Sequence, residues 1–377
     1  MTDSLSPERR APDPGWSEWF ARVLHLDLWL LGLLCGLSAL GLFVLYSASG
    51  HSMDVVASQM QRLGLGMLIL FACAQAPPDL YRLSAPWAYG ITLALLVLVE
   101  VLGDHAKGAV RWLDIGLVRF QPSELMKLAM PLAIAAYLHR QPLPPRSQIL
   151  VVVLGLIAVP TLLVAKQPDL GTALLIVTGG AFALFFSGLG WRWMLAAAAS
   201  VAAALPVLWH FLHDYQRKRV LTFLDPELDP LGAGYHITQS KIAIGSGGLF
   251  GKGWLNGSQA KLDFLPEAHT DFIFAVYAEE LGLLGVLLLL TIYITLVSRG
   301  LIIALRGQDT FQRLLAGSLS LMLFLYVFIN IGMVIGLLPV VGVPLPLMSY
   351  GGTSMVSLLA GFGMLTSIQT HRKLVSS

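Results

Sequence analysis

Hydrophobic runs of about twenty residues follow one another along most of the chain, separated by short polar stretches. A helix needs about 20 apolar residues to cross a hydrocarbon layer of about 30 Å. About ten runs approach that length, so the pattern predicts an all-α integral membrane protein with about ten transmembrane helices. The predicted spans are residues 28–47, 63–76, 86–102, 123–139, 149–165, 172–189, 193–212, 272–297, 314–337 and 354–370.

The composition supports this class. Of the 377 residues, 56% are hydrophobic and 12% are charged, and the mean hydropathy is +0.73, whereas soluble domains have roughly 25% charged residues. The 24 Lys and Arg nearly balance the 22 Asp and Glu, so no basic field indicates nucleic acid. Cys35 and Cys73 both lie in apolar runs, which supports neither a disulfide framework nor a cysteine metal site.

Positive charges predict the orientation in the membrane. With the amino terminus in the cytoplasm, the short outer loops carry about half as many Lys and Arg as the inner side, as the positive-inside rule requires. The inner set is Arg9, Arg10, Arg22, Arg82, Arg140, Arg146, Arg192, Arg299, Arg306, Arg313, Arg372 and Lys373. An even number of spans returns the carboxyl terminus to the same side, so both termini are predicted to be cytoplasmic.

One connection is much longer than the few residues that join neighbouring helices. Residues 213–270 form this large extracytoplasmic loop between predicted helices 7 and 8. Glycine and proline turns divide it, which favours a folded loop over a linker. The chain shows no repeat and no second soluble domain. It is therefore predicted to be a single membrane domain, 1–377, with a cytoplasmic leader at 1–26.

Charged residues near bilayer depth are candidates for function, because burying them in lipid is costly. Glu124 and Lys127 lie three residues apart on one face of a predicted helix, where they form either a local ion pair or part of a site. Asp169 follows Lys166 in a tight turn, where it either caps the next helix or contributes to a site.

The large loop ends in residues 265–272, Leu-Pro-Glu-Ala-His-Thr-Asp-Phe, and continues directly into a predicted span. Acids are common at helix starts because the helix dipole favours negative charge there. Asp271, however, lies at the boundary between water and lipid, where partial loss of water strengthens a carboxylate as a base. A general base acting on a membrane-bound substrate would be useful at this boundary.

Residues 344–354 read Pro-Leu-Pro-Leu-Met-Ser-Tyr-Gly-Gly-Thr-Ser and cannot form a regular span that faces lipid. Irregular backbone at membrane depth must be buried in protein or line a cavity. The sequence therefore predicts a re-entrant outer loop before the last helix.

This segment resembles the signature of the SEDS family (shape, elongation, division and sporulation proteins). The signature comprises Asn330 and residues 336–343 and 347–354, and further family motifs occur in the family's order. They are residues 111–114 (Arg-Trp-Leu-Asp), 121–124 (Gln-Pro-Ser-Glu), 167–171 (Gln-Pro-Asp-Leu-Gly) and 269–272 (His-Thr-Asp-Phe). Residues 118–124 and 278–280 resemble the RodA branch more than the FtsW branch, which serves division.

The resemblance implies a peptidoglycan glycosyltransferase of the bacterial cytoplasmic (inner) membrane that polymerises lipid II on the periplasmic side during cell elongation and cell-shape maintenance. It also implies that Asp271 is the essential catalytic acid. In our hypothesis Asp271 is the general base on the acceptor 4-hydroxyl, which displaces undecaprenyl pyrophosphate from the donor with inversion. Candidate substrate-binding residues are Arg111, Glu124, Lys127, Lys166, Asp169, Lys252, His269, Thr270 and Ser349.

Basic residues on the predicted outer side would neutralise the leaving pyrophosphate. Arg217, Lys218 and Arg219 are further candidates for this role. No organic cofactor is expected. A divalent cation, Mg²⁺ or Mn²⁺, would suit a carboxylate pair such as Asp169 and Asp271, which makes a metal-ligand role the alternative to a base role for Asp271.

The resemblance implies a class B penicillin-binding protein as partner, because this chain lacks a transpeptidase. Lipid II and the nascent glycan strand would be the other ligands, with no nucleic acid. A lipid II flippase is the competing interpretation, although alternating access favours an inverted repeat, which the sequence lacks. A non-catalytic scaffold is a third. Loss of polymerisation in an intact complex carrying Asp271→Ala would separate the enzyme from the scaffold.

Overall fold

The computed structural model describes residues 24–102, 104–106, 109–114, 119–167, 169–211, 214–225, 227, 229, 232–258 and 268–372. Over these residues the chain is a bundle of long helices with one small sheet. The helices are α1 (Leu28–Ala48), α2 (Met53–Gln75), α3 (Pro78–Leu102), α4 (Pro122–His139), α5 (Ser147–Lys166), α6 (Leu170–Phe186), α7 (Trp191–Phe211), α8 (Asp214–Leu224), α9 (Ala233–Gly247), α10 (Ile273–Leu305), α11 (Thr310–Val334) and α12 (Thr353–Thr370).

Each predicted span overlaps one of these helices, and the all-α membrane class is confirmed. Within the described part of the chain, 6 helices are long and apolar enough to cross a membrane by length and composition, namely α1, α2, α3, α5, α10 and α11. The remaining predicted spans fall on α4, α6, α7 and α12. A total of about ten transmembrane helices therefore stays a prediction. Helices α8 and α9 lie within the large loop.

A small antiparallel sheet stands where the sequence predicted only a loop. Strands β1 (Asp104–Ala106), β2 (Ala109–Asp114) and β3 (Arg119–Phe120) pair in that order between α3 and α4. Strands of 3, 6 and 2 residues are too short to show a hydrophobic period, which explains why the pattern did not predict them.

Helix α2 begins well before its predicted span. Ser52 caps it by accepting a hydrogen bond from the Val55 amide at 3.4 Å, whereas hydropathy placed the start at residue 63. Polar residues in the first turns of α2 lowered the mean hydropathy there, so the start of the helix was missed. Part of this polar face is buried against the rest of the protein. Gln59 is 3% exposed.

Helix α11 is at the centre of the bundle and packs against α4, α6, α10 and α12. Close packing through small residues holds such helices together in lipid, where burial of apolar surface gives little drive. A Cβ at Gly179 of α6 would lie 2.9 Å from Met322 Sδ of α11. A Cβ at Gly180 would lie 2.6 Å from Ile157 Cγ1 of α5. These glycines permit the close approach of α6 to both neighbours.

Helix α10 is broken at Gly282, which has φ 63° and ψ −165°. Residues 248–253 of the large loop replace the missing turn of hydrogen bonds. The N–H groups of Lys252, Gly253, Leu283 and Leu284 donate to the carbonyls of Glu279, Glu280, Gly248 and Leu249, respectively, at 3.0, 3.0, 2.9 and 3.2 Å. The break divides α10 into a short first segment, residues 273–281, and a longer remainder. Asp271 lies just before the first segment.

The re-entrant segment, residues 335–352, joins α11 to α12. Its backbone is irregular and residues 345–349 are buried in the bundle, as predicted from its prolines and glycines. The Tyr293 hydroxyl of α10 donates to the Pro346 carbonyl at 2.6 Å. A Cβ at Gly41 of α1 would lie 2.4 Å from the Leu347 carbonyl oxygen, so α1 approaches the segment directly through this glycine.

Candidate active site

Asp271 lies in the turn that leads into α10, and it is half-buried. Asn330 of α11 fixes this turn, since its side-chain amide donates to the Asp271 carbonyl at 2.9 Å and to the Val343 carbonyl at 2.8 Å. Asn330 is fully buried, and each of its two bonds satisfies a backbone acceptor. The amide therefore ties the turn to the re-entrant segment at a fixed spacing.

Gly342 brings the re-entrant segment up to the Asp271 side chain. It has φ 74°, and a Cβ there would lie 3.5 Å from Asp271 Oδ2. Glycine suits this position because the left-handed backbone disfavours other residues. Arg219 of α8 donates from Nη1 to the Val340 carbonyl at 2.8 Å. The large loop thus holds the same segment from a second direction.

The start of α6 packs on the re-entrant segment as well. Asp169 caps α6 by accepting from the Thr172 amide at 3.2 Å, and it also accepts from Gln121 Nε2 at 3.0 Å. A Cβ at Gly171 would lie 2.8 Å from the Val341 carbonyl oxygen. The capping interpretation of Asp169 is confirmed, and the cap lies beside the segment that contacts Asp271.

Glu124 and Lys127 form the local ion pair that their spacing predicted. Lys127 Nζ lies 2.7 Å from Glu124 Oε1 and 5.2 Å from the Tyr326 ring centroid. Ser357 of α12 donates to Glu124 Oε2 at 3.2 Å. The two charged residues are 7% and 3% exposed, respectively, so the pair is part of the interior between α4, α11 and α12.

Two cavities flank Tyr326. The first is open on one side and lined by Lys127, Ser357 and mainly apolar side chains of α11 and α12. The second is also open and is lined by residues of the re-entrant segment that include Pro344 and Ser349. Tyr326 and Leu358 line both. Asp271 lines neither of these two cavities.

Two other predicted lysines already have carboxylate partners. Lys166 Nζ lies 2.8 Å from Glu100 Oε1. Lys252 Nζ lies 2.6 Å from Glu279 Oε1, whose side chain is 0% exposed, and donates to Ser258 Oγ at 2.8 Å. The positive charge of each lysine is therefore balanced within the protein.

The remaining predicted site residues have mixed placements. Ser349 is buried and its hydroxyl accepts from the Leu345 amide at 2.8 Å. The His269 carbonyl accepts from the Tyr350 amide at 2.8 Å, and the two rings meet edge to face at 5.8 Å. Thr270 is half-buried in the same turn. Arg111 belongs to β2, and its side chain lies outside the described residues.

Sequence reasoning missed two polar residues of α2. Gln59 donates to the Ser349 carbonyl at 3.1 Å and accepts from the Gly351 amide at 3.3 Å. The Arg62 guanidinium carbon lies 4.4 Å from the Tyr350 ring centroid. The available signal was two polar residues, three positions apart, directly before an apolar run.

The described residues do not form a protein-only metal site. They contain no group of three or more His, Cys, Asp or Glu side chains placed to hold an ion. The Asp169 carboxylate accepts hydrogen bonds from the Thr172 amide and from Gln121. This donor set does not fit a cation held by protein ligands alone, since Mg²⁺ requires six oxygen ligands in near-octahedral geometry.

The architecture defines a class: a multi-span membrane protein with a half-buried carboxylate where one helix begins. Such a group can accept a proton from a polar part of a membrane-bound substrate. The chain belongs to the family described as "Cell cycle protein", which comprises FtsW, RodA and SpoVE, with a match over residues 22–374. The predicted SEDS membership is thereby confirmed.

Individual relatives agree with this family. The chain is 56% identical over 354 residues to peptidoglycan glycosyltransferase MrdB of Escherichia coli (strain K12), covering 94% of this chain and 96% of the relative. A chain solved in a peptidoglycan synthase complex matches with TM-score 0.82 at 35% identity, covering 93% of this chain and 99% of that one. The rod shape determining protein RodA of Thermus thermophilus matches with TM-score 0.71 at 32% identity, over 93% and 99%.

Proposed function

We propose that this chain is a RodA-type peptidoglycan glycosyltransferase that polymerises lipid II during cell elongation and cell-shape maintenance. The E. coli relative carries that enzyme name and matches across almost the whole chain. The structural observation that carries the proposal is the half-buried Asp271. Its turn and the adjacent re-entrant segment are both fixed by Asn330.

In the proposed reaction, Asp271 acts as general base on the 4-hydroxyl of the acceptor sugar. The proton passes to the carboxylate as the hydroxyl oxygen bonds to the anomeric carbon of the donor. The bond from that carbon to the pyrophosphate breaks with inversion, and undecaprenyl pyrophosphate leaves. The tether from Asn330 to the Asp271 backbone limits motion of the base, which favours a reactive geometry.

General-base catalysis raises the rate by about 10²- to 10⁴-fold, which is not the whole rate enhancement of an enzyme. Other groups must therefore stabilise the leaving pyrophosphate. A Mg²⁺ or Mn²⁺ ion would be held by Asp271 together with substrate oxygens and would help to neutralise the pyrophosphate. The described side chains alone do not complete a coordination sphere.

The partner is a class B penicillin-binding protein, which supplies the transpeptidase. A structural neighbour of this chain comes from a complex that coordinates polymerization and crosslinking. Lipid II and the nascent glycan strand are the ligands of this membrane-bound assembly.

The proposed location is the bacterial inner membrane, with both termini in the cytoplasm and the site facing the periplasm. The excess of Lys and Arg in the predicted inner loops supports this orientation. We further propose one membrane domain, 1–377, with a leader at 1–26 and an outer loop at 213–270. The family match over residues 22–374 is consistent with a single unit.

The test is lipid II polymerisation by the purified chain in complex with its penicillin-binding partner. We expect Asp271→Asn and Asp271→Ala to lower the rate at least about 10²-fold, since both remove the base. Asp54→Asn is the matched control, because it removes an exposed carboxylate in the first turn of α2. It should polymerise at the wild-type rate.

Complex yield and thermal unfolding are measured for each variant, so that loss of folding is recognised. Wild-type polymerisation with inactive Asp271 variants supports the enzyme. Normal polymerisation by both Asp271 variants would exclude Asp271 as the base. A wild-type complex that translocates lipid II without polymerising it would favour the flippase alternative.

A further inference from the structure

The leaving pyrophosphate carries negative charge and needs a cation to bind it. The sequence suggested several lysines for this role, but in the structure they already have partners. Three lysines predicted for this role are each paired with a carboxylate: Lys127 with Glu124, Lys166 with Glu100 and Lys252 with Glu279. A paired ammonium can bind a phosphate only by sharing or losing its partner. This inference rests on the proposed glycosyltransferase function.

Arg62 differs from these lysines. Within the described part of the chain its guanidinium has no ion pair, and its central carbon lies over the Tyr350 ring, 4.4 Å from the ring centroid. The side chain is half-buried. Its Nε lies 4.0 Å from where a Cβ of Gly352 would be, so the guanidinium lies beside this end of the re-entrant segment. Stacking on an aromatic face holds a guanidinium while its edge keeps the N–H donors available.

Arg62 is joined to the Asp271 turn through Tyr350. The Tyr350 amide donates to the His269 carbonyl at 2.8 Å, and the rings of the two residues meet at 5.8 Å. His269 is two residues before Asp271. One turn earlier in α2, Gln59 holds residues on both sides of Tyr350 by hydrogen bonds to Ser349 and Gly351. Arg62 and Asp271 therefore flank one fixed piece of backbone.

We propose that Arg62 binds the pyrophosphate of a lipid-linked substrate at the mouth of the site, with Tyr350 as its platform. A guanidinium edge matches two phosphate oxygens in a bidentate arrangement, which a lysine cannot reproduce. Arg62 thereby supplies charge neutralisation that a general base does not provide. The phosphate of a bulk phospholipid is the other possible source of the same chemistry, and the experiment separates the two.

The first experiment measures KM and kcat for lipid II in the complex with the penicillin-binding partner. We expect Arg62→Gln to raise KM about 10- to 100-fold, the range for charge-assisted hydrogen bonds. Arg62→Lys should give an intermediate KM, because it keeps charge but loses the fork. Arg192→Gln is the control, since it removes an exposed positive charge at the start of α7. It should leave KM unchanged.

The second experiment measures binding of undecaprenyl pyrophosphate and of uncharged undecaprenol to the complex in phosphatidylcholine nanodiscs. Arg62→Gln should weaken pyrophosphate binding by a similar factor and leave undecaprenol binding unaltered. Phosphatidylglycerol in the nanodisc should not displace the pyrophosphate. Displacement at the abundance of an ordinary phospholipid would overturn the inference and make Arg62 a membrane anchor.

Unchanged pyrophosphate affinity in both Arg62→Gln and Arg62→Lys would also overturn it. The two experiments separate this failure from failure of the proposed function. If wild type polymerises lipid II but the affinity for undecaprenyl pyrophosphate does not depend on Arg62, the enzyme function is supported and the binding role of Arg62 is excluded. If wild type does not polymerise, the function falls, while the binding measurement still tests Arg62.

Discussion

Glu124 and Lys127 are oppositely charged side chains buried in the bundle, with side-chain exposures of 9% and 4%. Removing such groups from water is costly, and their attraction at 2.7 Å offsets that cost only while both charges are present. The spacing of three residues predicted this pair because such residues are neighbours on a helix. The contributions of Ser357 and Tyr326 come from distant helices, and no local pattern could predict them.

The first stability prediction concerns this pair. We expect Lys127→Met to lower the free energy of unfolding by about 3–5 kcal/mol, because Glu124 would be left buried without a countercharge. The double variant Glu124→Gln/Lys127→Met should recover most of that loss. Denaturant unfolding in one detergent measures both.

The exposed pair Lys166 and Glu100 is the matched control, with side-chain exposures of 69% and 31%. Lys166→Met should cost less than about 1 kcal/mol, because solvent screens the pair. Equal losses at Lys127 and Lys166 would contradict the assignment of Lys127 to a low-dielectric interior.

The other cations show the limit of local patterns. Lys252 and Glu279 are 27 residues apart, so their contact depends on how the large loop folds back onto α10. Arg62 lay outside the predicted span 63–76, and its helical position became evident only when α2 was seen to begin at Met53. Sequence identified the acid at Asp271, whereas the choice among cations required tertiary contacts.

At the scale of elements, α10 illustrates a feature that hydropathy cannot detect. The apolar run predicted one continuous span at 272–297, and a single glycine in such a run does not predict a break, since glycine is common in transmembrane helices. The break at Gly282 exists because residues 248–253 supply replacement hydrogen bonds. That replacement depends on the fold of the large loop.

We predict that Gly282→Ala lowers both stability and polymerisation. The backbone at φ 63° and ψ −165° lies in a region that only glycine occupies readily, with a cost of about 1–3 kcal/mol for other residues. A Cβ there would also lie 2.3 Å from the Gly251 amide nitrogen. Residues 248–253 would be displaced, and the segment 273–281 that follows Asp271 would lose its hydrogen-bonded end.

Gly155→Ala of α5 is the control for this change, because a Cβ there meets nothing within 4 Å. Unfolding in detergent and lipid II polymerisation are measured for both variants. Alanine at Gly155 should leave both quantities close to wild type. A Gly282→Ala protein as stable and as active as Gly155→Ala would show that the break is not needed to position Asp271.

At the scale of the whole molecule, hydropathy predicted the order and approximate extent of the long helices. It could not predict distances between segments far apart in the chain. The start of α6 at Gly171, the turn of Asp271 and Gln59 of α2 are far apart in the chain, and each contacts the re-entrant segment. The prolines and glycines of that segment predicted its irregular burial, because backbone chemistry alone requires it.

The two ends of the described chain also meet in three dimensions. The rings of His25, before α1, and His371, after α12, stack with centroids 3.9 Å apart. Thr370 Oγ1 donates to the His25 carbonyl at 3.4 Å, and Gln75 Nε2 of α2 donates to the Leu24 carbonyl at 2.6 Å. The contact links α1, α2 and α12, so its stability contributes to closure of the bundle.

Acid should weaken this closure. Burial and then the neighbouring His25 lower the pKa of His371 below its usual 6.5. The unfolded chain therefore binds a proton at pH values where folded His371 remains neutral. The stabilisation is complete above pH 6.5 and is lost as the pH falls from that value toward the lowered pKa. We expect the free energy of unfolding to decrease from about pH 7.5 to about pH 5.5, and His371→Gln to reduce that decrease.

Denaturant unfolding across this pH range measures the effect. His51→Asn is the matched control, because it removes an exposed imidazole at φ 66°, a backbone conformation that asparagine tolerates. It should keep the wild-type dependence on pH. Since the folded state excludes a proton from His371, neutral replacement must flatten the profile on its acid side. If the free energy of unfolding of His371→Gln follows that of wild type at every pH, the stacked histidines do not contribute to closure of the bundle.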